Sequence, residues 1–327
     1  MSPVVMVLLI ALLLGGLVFF VGRAQKEADA EVIGEAGKVI NADAPTTLLA
    51  YGDRQYKVRH GLDAVLLIGT DDIEGKAGTK PEDNYNYNYN LADFLILLVI
   101  DDNARTVQPI QINRDTMAEV PWIGLNGKKG GYQVEQITFA HTYGNGVEDS
   151  CENTVDAVSR FLFEAPIDRY MAVTMDAVPI VNDLVGGVTI RCPGNISELG
   201  DEYTDGAVIT LKGFNALRFV RYRDTSTTAS NVARLDRHRV YLEAFLPQAK
   251  KAFEKNSQLV LDALETLDPY LVTDMSGNEI SELVNRMNQY DILPAATYKG
   301  TYQLGTYAEF YADNASVWEI VKDAYCE

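Results

Sequence analysis

The chain has 327 residues, of which 47% are hydrophobic and 23% are charged. This length and composition are sufficient for a substantial core and exclude a disordered chain, a collagen-like repeat and a small disulfide scaffold. With 28 basic against 46 acidic residues the formal charge is −18, which argues against a surface that binds nucleic acid through bulk charge. An anionic ligand must therefore be held by a local cluster of basic side chains.

Three cysteines, Cys151, Cys192 and Cys326, fit neither a zinc-binding spacing nor a thioredoxin-like pair. Their odd number leaves at least one of them unpaired if the chain is exported. A Cys151–Cys192 disulfide is one alternative, and buried free thiols are the other, which the sequence favours because free cysteine is commonly buried.

The N-terminus carries a long apolar run, Ser2–Gly22, without a charged side chain. As a helix this run is long enough to cross a hydrocarbon core of about 30 Å. A cleaved signal peptide ending near Ala28-Asp29-Ala30 is the alternative, but the run exceeds the usual apolar region of about 7–15 residues and has no basic residues before it. The sequence therefore predicts a transmembrane anchor over residues 1–23 and a juxtamembrane stalk over residues 24–60.

Strand and helix patterns alternate between residues 61 and 246. A continuous apolar run predicts a buried strand over Ala64–Gly69. Phe94–Ile100 and Val107–Ile112 are two further strand candidates, joined by a polar turn near Asn103. The patterns further predict strands over Tyr170–Thr174, Val188–Arg191 and Leu217–Arg223, and helices around Thr154–Leu162, over Ala177–Leu184 and over Ala233–Leu246. Such alternation predicts an α/β domain whose sheet is covered on both faces.

Residues 247–327 have mainly helical patterns and are predicted to form a C-terminal extension. Ser276 followed by Glu279 is typical of a capping box, and Ser316 with Glu319 repeats the spacing. The apolar stripes of these helices indicate packing surfaces, and no chemistry is assigned to them.

An arginine cluster lies between Arg218 and Arg239, where six arginines stand against two aspartates. Arg221 and Arg223 would share one face of the predicted strand, and Arg234 and Arg237 one face of the predicted helix. Guanidinium groups hold phosphate oxygens bidentately and stay charged when partly buried. Convergence on a phosphate-bearing ligand is one interpretation, and a solvated basic face with ion pairs is the other.

A second constellation follows from the predicted hairpin. An antiparallel pair turning near Asn103 places Asp93 beside Arg114 and Asp115 at the open end. Asp71 joins them if its strand neighbours the hairpin. Carboxylates next to arginines are typical of a magnesium ion that bridges to phosphate oxygens, and an ion-pair network at a strand end is the alternative.

Other common catalytic motifs are missing from the sequence. His60, His141 and His238 have no zinc-binding spacing, and neither a Walker loop, a GxGxxG segment nor a GxSxG elbow is present. The sequence therefore contains no motif that supports nucleotide hydrolysis or serine-hydrolase chemistry.

An ordered set of segments resembles the LytR-CpsA-Psr family from about residue 61 to 246. The segments are VLLIGTDD (Val65–Asp72), ADFLILLVI (Ala92–Ile100), INRDT (Ile112–Thr116), LVGGVTI (Leu184–Ile190), LKGFNALRFVRYRD (Leu211–Asp224) and ARLDRHR (Ala233–Arg239). Each segment alone is a weak signal, but their order behind an apolar N-terminal run is specific.

The resemblance implies an α/β/α domain with a mixed central sheet, anchored by one transmembrane helix whose N-terminus is cytoplasmic while the domain is extracellular. Arg23 and Lys26 after the span would, taken alone, favour the opposite orientation. The implied activity is magnesium-dependent transfer of a glycopolymer, such as teichoic acid or capsular polysaccharide, from a polyprenyl-pyrophosphate carrier to peptidoglycan. The polyprenyl chain would lie in an apolar tunnel between the sheet and the helices.

The resemblance also implies roles for individual residues. Asp71 and Asp93 match the family's magnesium-binding aspartates. The arginines that match those around the lipid pyrophosphate are Arg114, Arg221, Arg223, Arg234 and Arg237. Arg114, Asp115, Arg221 and Arg223 are the expected catalytic residues, with Asp115 supporting Arg114. Asp115 and Asp224 are candidates for the base that the attacking hydroxyl needs.

Several positions depart from the family's pattern: Leu91 stands where an arginine is usual, Asn231 where an aspartate is expected, His238 where a glutamine is expected and Gln136 where a lysine is expected. These departures leave three hypotheses open. The chain is a magnesium-dependent phosphotransferase, a membrane protein with a regulatory role that binds a polyprenyl phosphate without turnover, or a pyrophosphatase acting on the same lipid.

Overall fold

The computed structural model describes residues 47–70, 90–123, 129–222, 237, 240–241, 243–245, 248, 251–252, 266–304 and 308–327. Within these ranges no helix is both long and apolar enough to cross a membrane. Residues 1–23, for which the sequence predicts an anchor, and residues 24–46 of the predicted stalk lie outside them.

The described strands are, in chain order, β1 (Leu48–Tyr51), β2 (Arg54–Lys57), β3 (Leu62–Thr70), β4 (Ala92–Asp101), β5 (Thr106–Ile112), β6 (Met117–Ile123), β7 (Lys129–Gln136), β8 (Arg169–Thr174), β9 (Val188–Arg191), β10 (Val208–Leu211), β11 (Leu271–Thr273), β12 (Asp291–Ile292), β13 (Gly300–Leu304) and β14 (Ala308–Ala312). The helices are α1 (Glu148–Phe161), α2 (Ala177–Leu184), α3 (Phe214–Arg221), α4 (Gly277–Gln289) and α5 (Asn314–Tyr325), with 3-10 turns over Ile137–Thr142 and Asp268–Tyr270. The described residues between 237 and 252 are also helical.

The central sheet has the strand order β11-β8-β3-β4-β5-β12. β3 pairs antiparallel with β4 and parallel with β8, and β5 completes an antiparallel hairpin with β4. β12 is parallel to β5 and β11 is antiparallel to β8. The sheet is therefore mixed, and the continuous apolar runs of β3 and β4 are explained by burial on both faces.

Alternate residues of the central strands enter two separate hydrophobic clusters. Leu67 lies in the cluster covered by α2, α3, α4 and the helical residues 237–252, whereas Leu66 lies in the cluster covered by α1 and α5. This follows from the two-residue period of a strand, which sends successive side chains to opposite faces. The α/β/α layering implied by the sequence is confirmed.

Residues 48–57 correct the predicted stalk, because they form the β1–β2 hairpin packed against the body. Leu49 is buried, and the ring of Tyr51 stacks on Trp318 with 4.8 Å between ring centroids. Tyr51 and Tyr56 of this hairpin both contact Trp318 of α5. The sequence did not predict this packing because the two segments are far apart in the chain.

The C-terminal part also differs from the predicted, mainly helical extension. β11 and β12 form the two edges of the central sheet, and β13 pairs with β14. On α5, Trp318, Val321 and Tyr325 are buried. Residues 266–327 thus complete the domain. The sequence did not predict these strands; β11 and β12, with three and two residues, are too short to show a period-two pattern.

The prediction of a strand over Leu217–Arg223 was wrong, because this stretch belongs largely to helix α3. Its buried side chains, Ala216, Leu217, Phe219 and Val220, recur at three- and four-residue spacings and form one helical face. A short apolar run is ambiguous between strand and helix, and here packing against the sheet selects the helix.

The two predicted helix starts have different outcomes. Ser276 and Glu279 form the expected capping box of α4. α5 is instead capped by Asp313, whose side chain accepts a hydrogen bond from the Ala315 amide, so the predicted box at Ser316 was wrong. The Ser316 hydroxyl accepts from the Lys299 amide at 3.0 Å and ties the helix to the chain before β13.

All three cysteines are buried free thiols. Cys151 and Cys192 belong to the two clusters on opposite faces of the sheet, so the considered Cys151–Cys192 disulfide does not form. Burial raises the pKa of each of the three thiols.

Candidate active site

The open end of the β4–β5 hairpin carries an arginine between two carboxylates. The strands pair from Asp101 with Thr106 to Leu95 with Ile112, which is the predicted register. Beyond the last pair, Arg114 donates from Nη1 to Oδ1 of Asp93, and its Nε lies 3.5 Å from Oδ1 of Asp115. The predicted neighbourhood of these three side chains is confirmed.

The three side chains remain open to solvent. Their exposed fractions are 20% for Asp93, 36% for Arg114 and 25% for Asp115. Pairs with this exposure contribute little to stability, since water screens them and two side chains must be ordered. The arrangement is therefore accessible to a ligand.

A tight turn presents Arg114 and Asp115. The Thr116 amide donates to the Asn113 carbonyl at 3.0 Å, and the Asp115 amide donates to Asn113 Oδ1 at 3.1 Å. Asparagine is favoured in such turns because its side chain hydrogen-bonds the backbone two residues further on. The turn Asn113–Thr116 thereby holds two consecutive charged side chains at the strand end.

The chain leading into Asp93 is held by buried polar groups that the sequence did not identify. Thr138 Oγ1 donates to the Ala92 carbonyl at 3.0 Å. A ring nitrogen of His141 lies 3.2 Å from the Asn90 carbonyl, and burial lowers the pKa of this histidine to about 4. Both residues belong to the 3-10 turn after β7, which therefore fixes the backbone beside the site.

β3 ends next to the start of β4. Thr70, its last residue, pairs with Ala92 and, on its other side, with Thr174 of β8. The strand condition under which Asp71 would join the site is thus met, but Asp71 itself lies outside the described residues. Among the described residues no group of three or more acidic, histidine or cysteine side chains is arranged to hold a metal ion.

The arginine cluster is distributed differently from the prediction. Arg221 is the exposed last residue of α3, whereas Arg223 and Arg234 lie outside the described residues. The prediction that Arg221 and Arg223 share a strand face has no basis, because α3 replaces the predicted strand.

Arg237 is 4% exposed, unlike Arg221. Its Nε donates to the Phe219 carbonyl at 3.2 Å, its Nη2 donates to the Tyr222 carbonyl, and its guanidinium lies 5.1 Å from the centre of the Tyr222 ring. These acceptors are at the C-terminal end of α3, where a cation is favoured by the helix dipole and the last carbonyls lack intrahelical partners. Arg237 therefore fixes the end of the helix that carries Arg221.

Two of the departures from the family's pattern lie in the described chain. Leu91 is half-buried, and its carbonyl accepts from the Asp93 amide at 3.0 Å, but its side chain offers no donor. Gln136 Nε2 donates to the Ala308 carbonyl at 2.7 Å and lies 3.5 Å from Oδ1 of Asp115. Asp224, Asn231 and His238 are outside the described residues.

The domain is a mixed sheet between two helical layers, with an arginine and two carboxylates at the end of a central hairpin. The chain belongs to the LytR_cpsA_psr family, whose model matches residues 33–326. The resemblance over residues 61–246 thus extends to nearly the whole chain.

Named relatives of the chain are teichoic acid–peptidoglycan transferases. The chain is 30% identical over 183 residues to the polyisoprenyl-teichoic acid–peptidoglycan teichoic acid transferase TagU of Bacillus licheniformis, covering 56% of this chain and 51% of that protein. It is 28% identical over 158 residues to the TagU of Halalkalibacterium halodurans, covering 48% and 47%. The chain therefore matches about half the length of these curated relatives.

The crystal structure of Bacillus subtilis TagV has a similar fold. Its TM-score is 0.54 at 22% sequence identity, with 81% of this chain and 96% of that chain covered. At this identity the likeness shows the fold alone.

Proposed function

We propose that the chain transfers a glycopolymer from a polyprenyl-pyrophosphate carrier to peptidoglycan and forms a phosphodiester link. The observation that carries this proposal is Arg114 held between Asp93 and Asp115 at an accessible strand end, in a chain of the LytR_cpsA_psr family. The names of the relatives, which are teichoic acid–peptidoglycan transferases, support an anionic polymer as the donor and peptidoglycan as the acceptor.

The proposed reaction is a phosphoryl transfer. A muramic-acid hydroxyl attacks the sugar-linked phosphorus, a new P–O bond forms, and the P–O bond to the lipid phosphate breaks, so that polyprenyl phosphate leaves. The positive charge of Arg114 and Arg221 stabilises charge that develops on the transferred group and the leaving phosphate. Asp115 is a candidate to accept the hydroxyl proton because it lies beside Arg114 in the turn. Asp224 is the other candidate.

Magnesium is part of this proposal. The paired Thr70 and Ala92 are each followed directly in sequence by an aspartate, Asp71 and Asp93, and carboxylate oxygens are ligands that magnesium prefers. The donor chemistry of these two residues fits a hard divalent cation. When bound, magnesium would supply Lewis-acid polarisation of phosphoryl oxygens.

The proposed lipid site borders one hydrophobic cluster. Phe94, next to Asp93, shares this cluster with Leu217 and Val220 of α3, the helix that ends at Arg221. A polyprenyl chain entering between the sheet and α3 would keep its phosphates near the arginines.

Residues 1–23 are proposed to anchor the protein in the membrane, with the N-terminus cytoplasmic and the domain extracellular.

The test is a transfer assay with the full chain, a polyprenyl-pyrophosphate-linked glycopolymer and peptidoglycan oligosaccharides, with magnesium or with EDTA. Arg221→Ala should lower transfer by about 100-fold or more, the range for removal of a charge-stabilising group. Arg218→Ala is the matched control, since Arg218 is exposed on the same helix and donates to the Glu198 carbonyl instead. Equal rates for Arg221→Ala and the control would contradict the assignment.

The second candidate function is lipid binding without turnover, and Leu91 favours it because an apolar side chain replaces a phosphate ligand beside Asp93. The double variant Leu91→Arg, Asn231→Asp, which restores the family's pattern at both positions, discriminates between transfer and lipid binding without turnover. A weakened enzyme should gain transfer, and a dedicated binder should only bind the lipid more tightly. Phosphate release without an acceptor would instead indicate a pyrophosphatase.

A further inference from the structure

The C-terminal part of the chain follows β5 toward the candidate site. The Ala296 amide donates to the Pro109 carbonyl at 2.8 Å, and the Gln111 amide donates to the Ala296 carbonyl at 2.9 Å. Ala296 thereby extends the parallel edge that β12 begins. Two residues later the chain passes the end of β5 and reaches the turn Asn113–Thr116.

Tyr298 joins the two ends of that turn. Its hydroxyl oxygen accepts from the Asn113 amide at 2.9 Å and lies 2.7 Å from Thr116 Oγ1, with which it shares a hydrogen bond. The ring packs between Phe161 and Phe310, with centroid distances of 5.1 and 6.0 Å. Burial raises the pKa of Tyr298 to about 12, so the hydroxyl remains protonated at neutral pH.

The β13–β14 hairpin closes on the same turn from the other side. The Phe310 amide donates to the Asp115 carbonyl at 2.9 Å, and Asn113 Nδ2 donates to the Tyr302 hydroxyl at 2.9 Å. Gln136, which lies beside the Asp115 carboxylate, donates to the Ala308 carbonyl at the start of β14. The backbone and side chains that flank Arg114 and Asp115 are thus tied to one C-terminal hairpin.

We propose that Tyr298 and the β13–β14 hairpin form a positioning clamp, which sets the geometry of Arg114 and Asp115 for transfer. The role of the clamp in catalysis rests on the proposed function. A charged side chain on a partly exposed turn samples many orientations, and a misplacement of about 1 Å can cost about 100-fold in rate. The partly buried hydrogen bonds of Tyr298 at both ends of the turn restrict that motion. Tyr298 is a positioning residue because its hydroxyl contacts the turn backbone and Thr116 instead of the reacting groups.

The first test measures the clamp without any activity. Hydrogen exchange of the full chain is followed in a peptide covering residues 112–117 for Tyr298→Phe and for Tyr311→Phe. Tyr311 is the matched control, since it is an exposed tyrosine of β14, on the face opposite the buried Phe310, and its hydroxyl donates to Glu309. Tyr298→Phe should speed exchange in this peptide by about tenfold, because the local opening that exposes the Asn113 amide becomes easier. Unchanged exchange would overturn the clamp.

The second test asks whether the clamp acts through Arg114. Tyr298→Phe should lower kcat by about tenfold to 100-fold with the KM for the lipid donor within about twofold. In an Arg114→Lys background the same change should cause little further loss, since both changes disturb one group. Losses that multiply would show that Tyr298 does not act through Arg114 and would overturn the positioning role.

The outcomes separate the clamp from the proposed function. If Arg114→Lys keeps full transfer while Tyr298→Phe loosens the turn, the catalytic assignment fails and the clamp remains as a structural device without the proposed positioning role. If Arg114→Lys is impaired and Tyr298→Phe has normal kcat and normal exchange, the clamp fails alone. Should Tyr298→Phe not fold, Tyr302→Phe replaces it, because Tyr302 is 56% exposed and bonds Asn113 from the same hairpin.

Discussion

Arg114 forms its ion pair with Asp93 across two strands whose last paired residues, Leu95 and Ile112, are buried. The pair therefore depends on a rigid apolar hairpin for its alignment, while its own atoms lie at the edge where a ligand has access. The buried strand residues align the pair, whereas the charged side chains themselves are accessible. Substitutions of the charged residues should therefore affect activity far more than stability.

Asp93→Asn should lower transfer by about 100-fold or more and leave the thermal midpoint nearly unchanged, because a pair that water reaches contributes only about 0–1 kcal/mol. The amide cannot give Arg114 a charged acceptor and is a poorer magnesium ligand. Transfer rates over a magnesium titration and a thermal melt are the measurements.

Asp102→Asn is the control for Asp93→Asn. Asp102 lies just beyond the other end of β4, where it accepts from Tyr290 at 3.0 Å and from Arg286. It should keep its transfer activity. A similar loss of transfer in both variants would mean that Asp93 acts through the fold and not through the site.

Arg237→Ala should destabilise the fold by about 3 kcal/mol, the scale for breaking a buried charged interaction. The change leaves the Phe219 and Tyr222 carbonyls at the end of α3 without this donor. Chemical denaturation provides the free energy of unfolding, and Arg218→Ala, exposed on the same helix, should stay within about 0.5 kcal/mol of the parent. A small effect for Arg237→Ala would argue that its guanidinium is directed to a ligand and is not required by the helix.

The sequence predicted the hairpin and the Asp93–Arg114 neighbourhood because both depend on local information. Two strand candidates with a polar turn between them define a register, and the register places the residues just beyond the strands. No comparable local signal marks Tyr298, whose contact with Asn113 spans 185 positions. The contact forms because the C-terminal part of the chain runs along the edge of the sheet beside β5. Patterns among neighbouring residues carry no information about such a distant contact.

Arg237 and α3 illustrate a different limit. The run that ends in Arg221 is short enough to fit a strand or a helix, so the faces assigned to its arginines depended on an ambiguous choice. The burial of Arg237 could not be predicted from the sequence either, because an arginine in a basic segment is expected to be exposed unless its partners are known. It donates to backbone carbonyls. Every residue has a backbone carbonyl, so no sequence pattern identifies these acceptors.

Asp313→Ala should destabilise the fold by about 1 kcal/mol, the usual cost of losing an N-cap. Its carboxylate accepts from the Ala315 amide at the start of α5, and α5 buries Trp318 in the core. Ser276→Ala should cost a similar amount at α4. Thermal melts compare the two. Full stability of Asp313→Ala would mean that the Asp313 side chain does not stabilise the start of α5.

Stability should fall as the pH drops from about 6.5 to about 4, because His141 is buried and neutral in the folded chain. Burial lowers the pKa of His141 from 6.5 to about 4, so in this window the unfolded chain binds a proton that the folded chain does not. Protonation therefore favours unfolding, by a total of the order of 3 kcal/mol at the acid end of the window. Above pH about 6.5 neither state is protonated and the contribution is constant.

Unfolding free energies at closely spaced pH values test this prediction. His141→Gln should flatten the pH dependence between about 6.5 and 5, a range above the usual titration of carboxylates. His60→Gln is the control for the loss of a histidine, since His60 is exposed in the turn before β3. Equal slopes in the parent and in His141→Gln would mean that another group binds the proton. The 3-10 turn beside Asn90 would then have to admit water to the imidazole, and the chain leading into Asp93 would be held less firmly than its hydrogen bonds indicate.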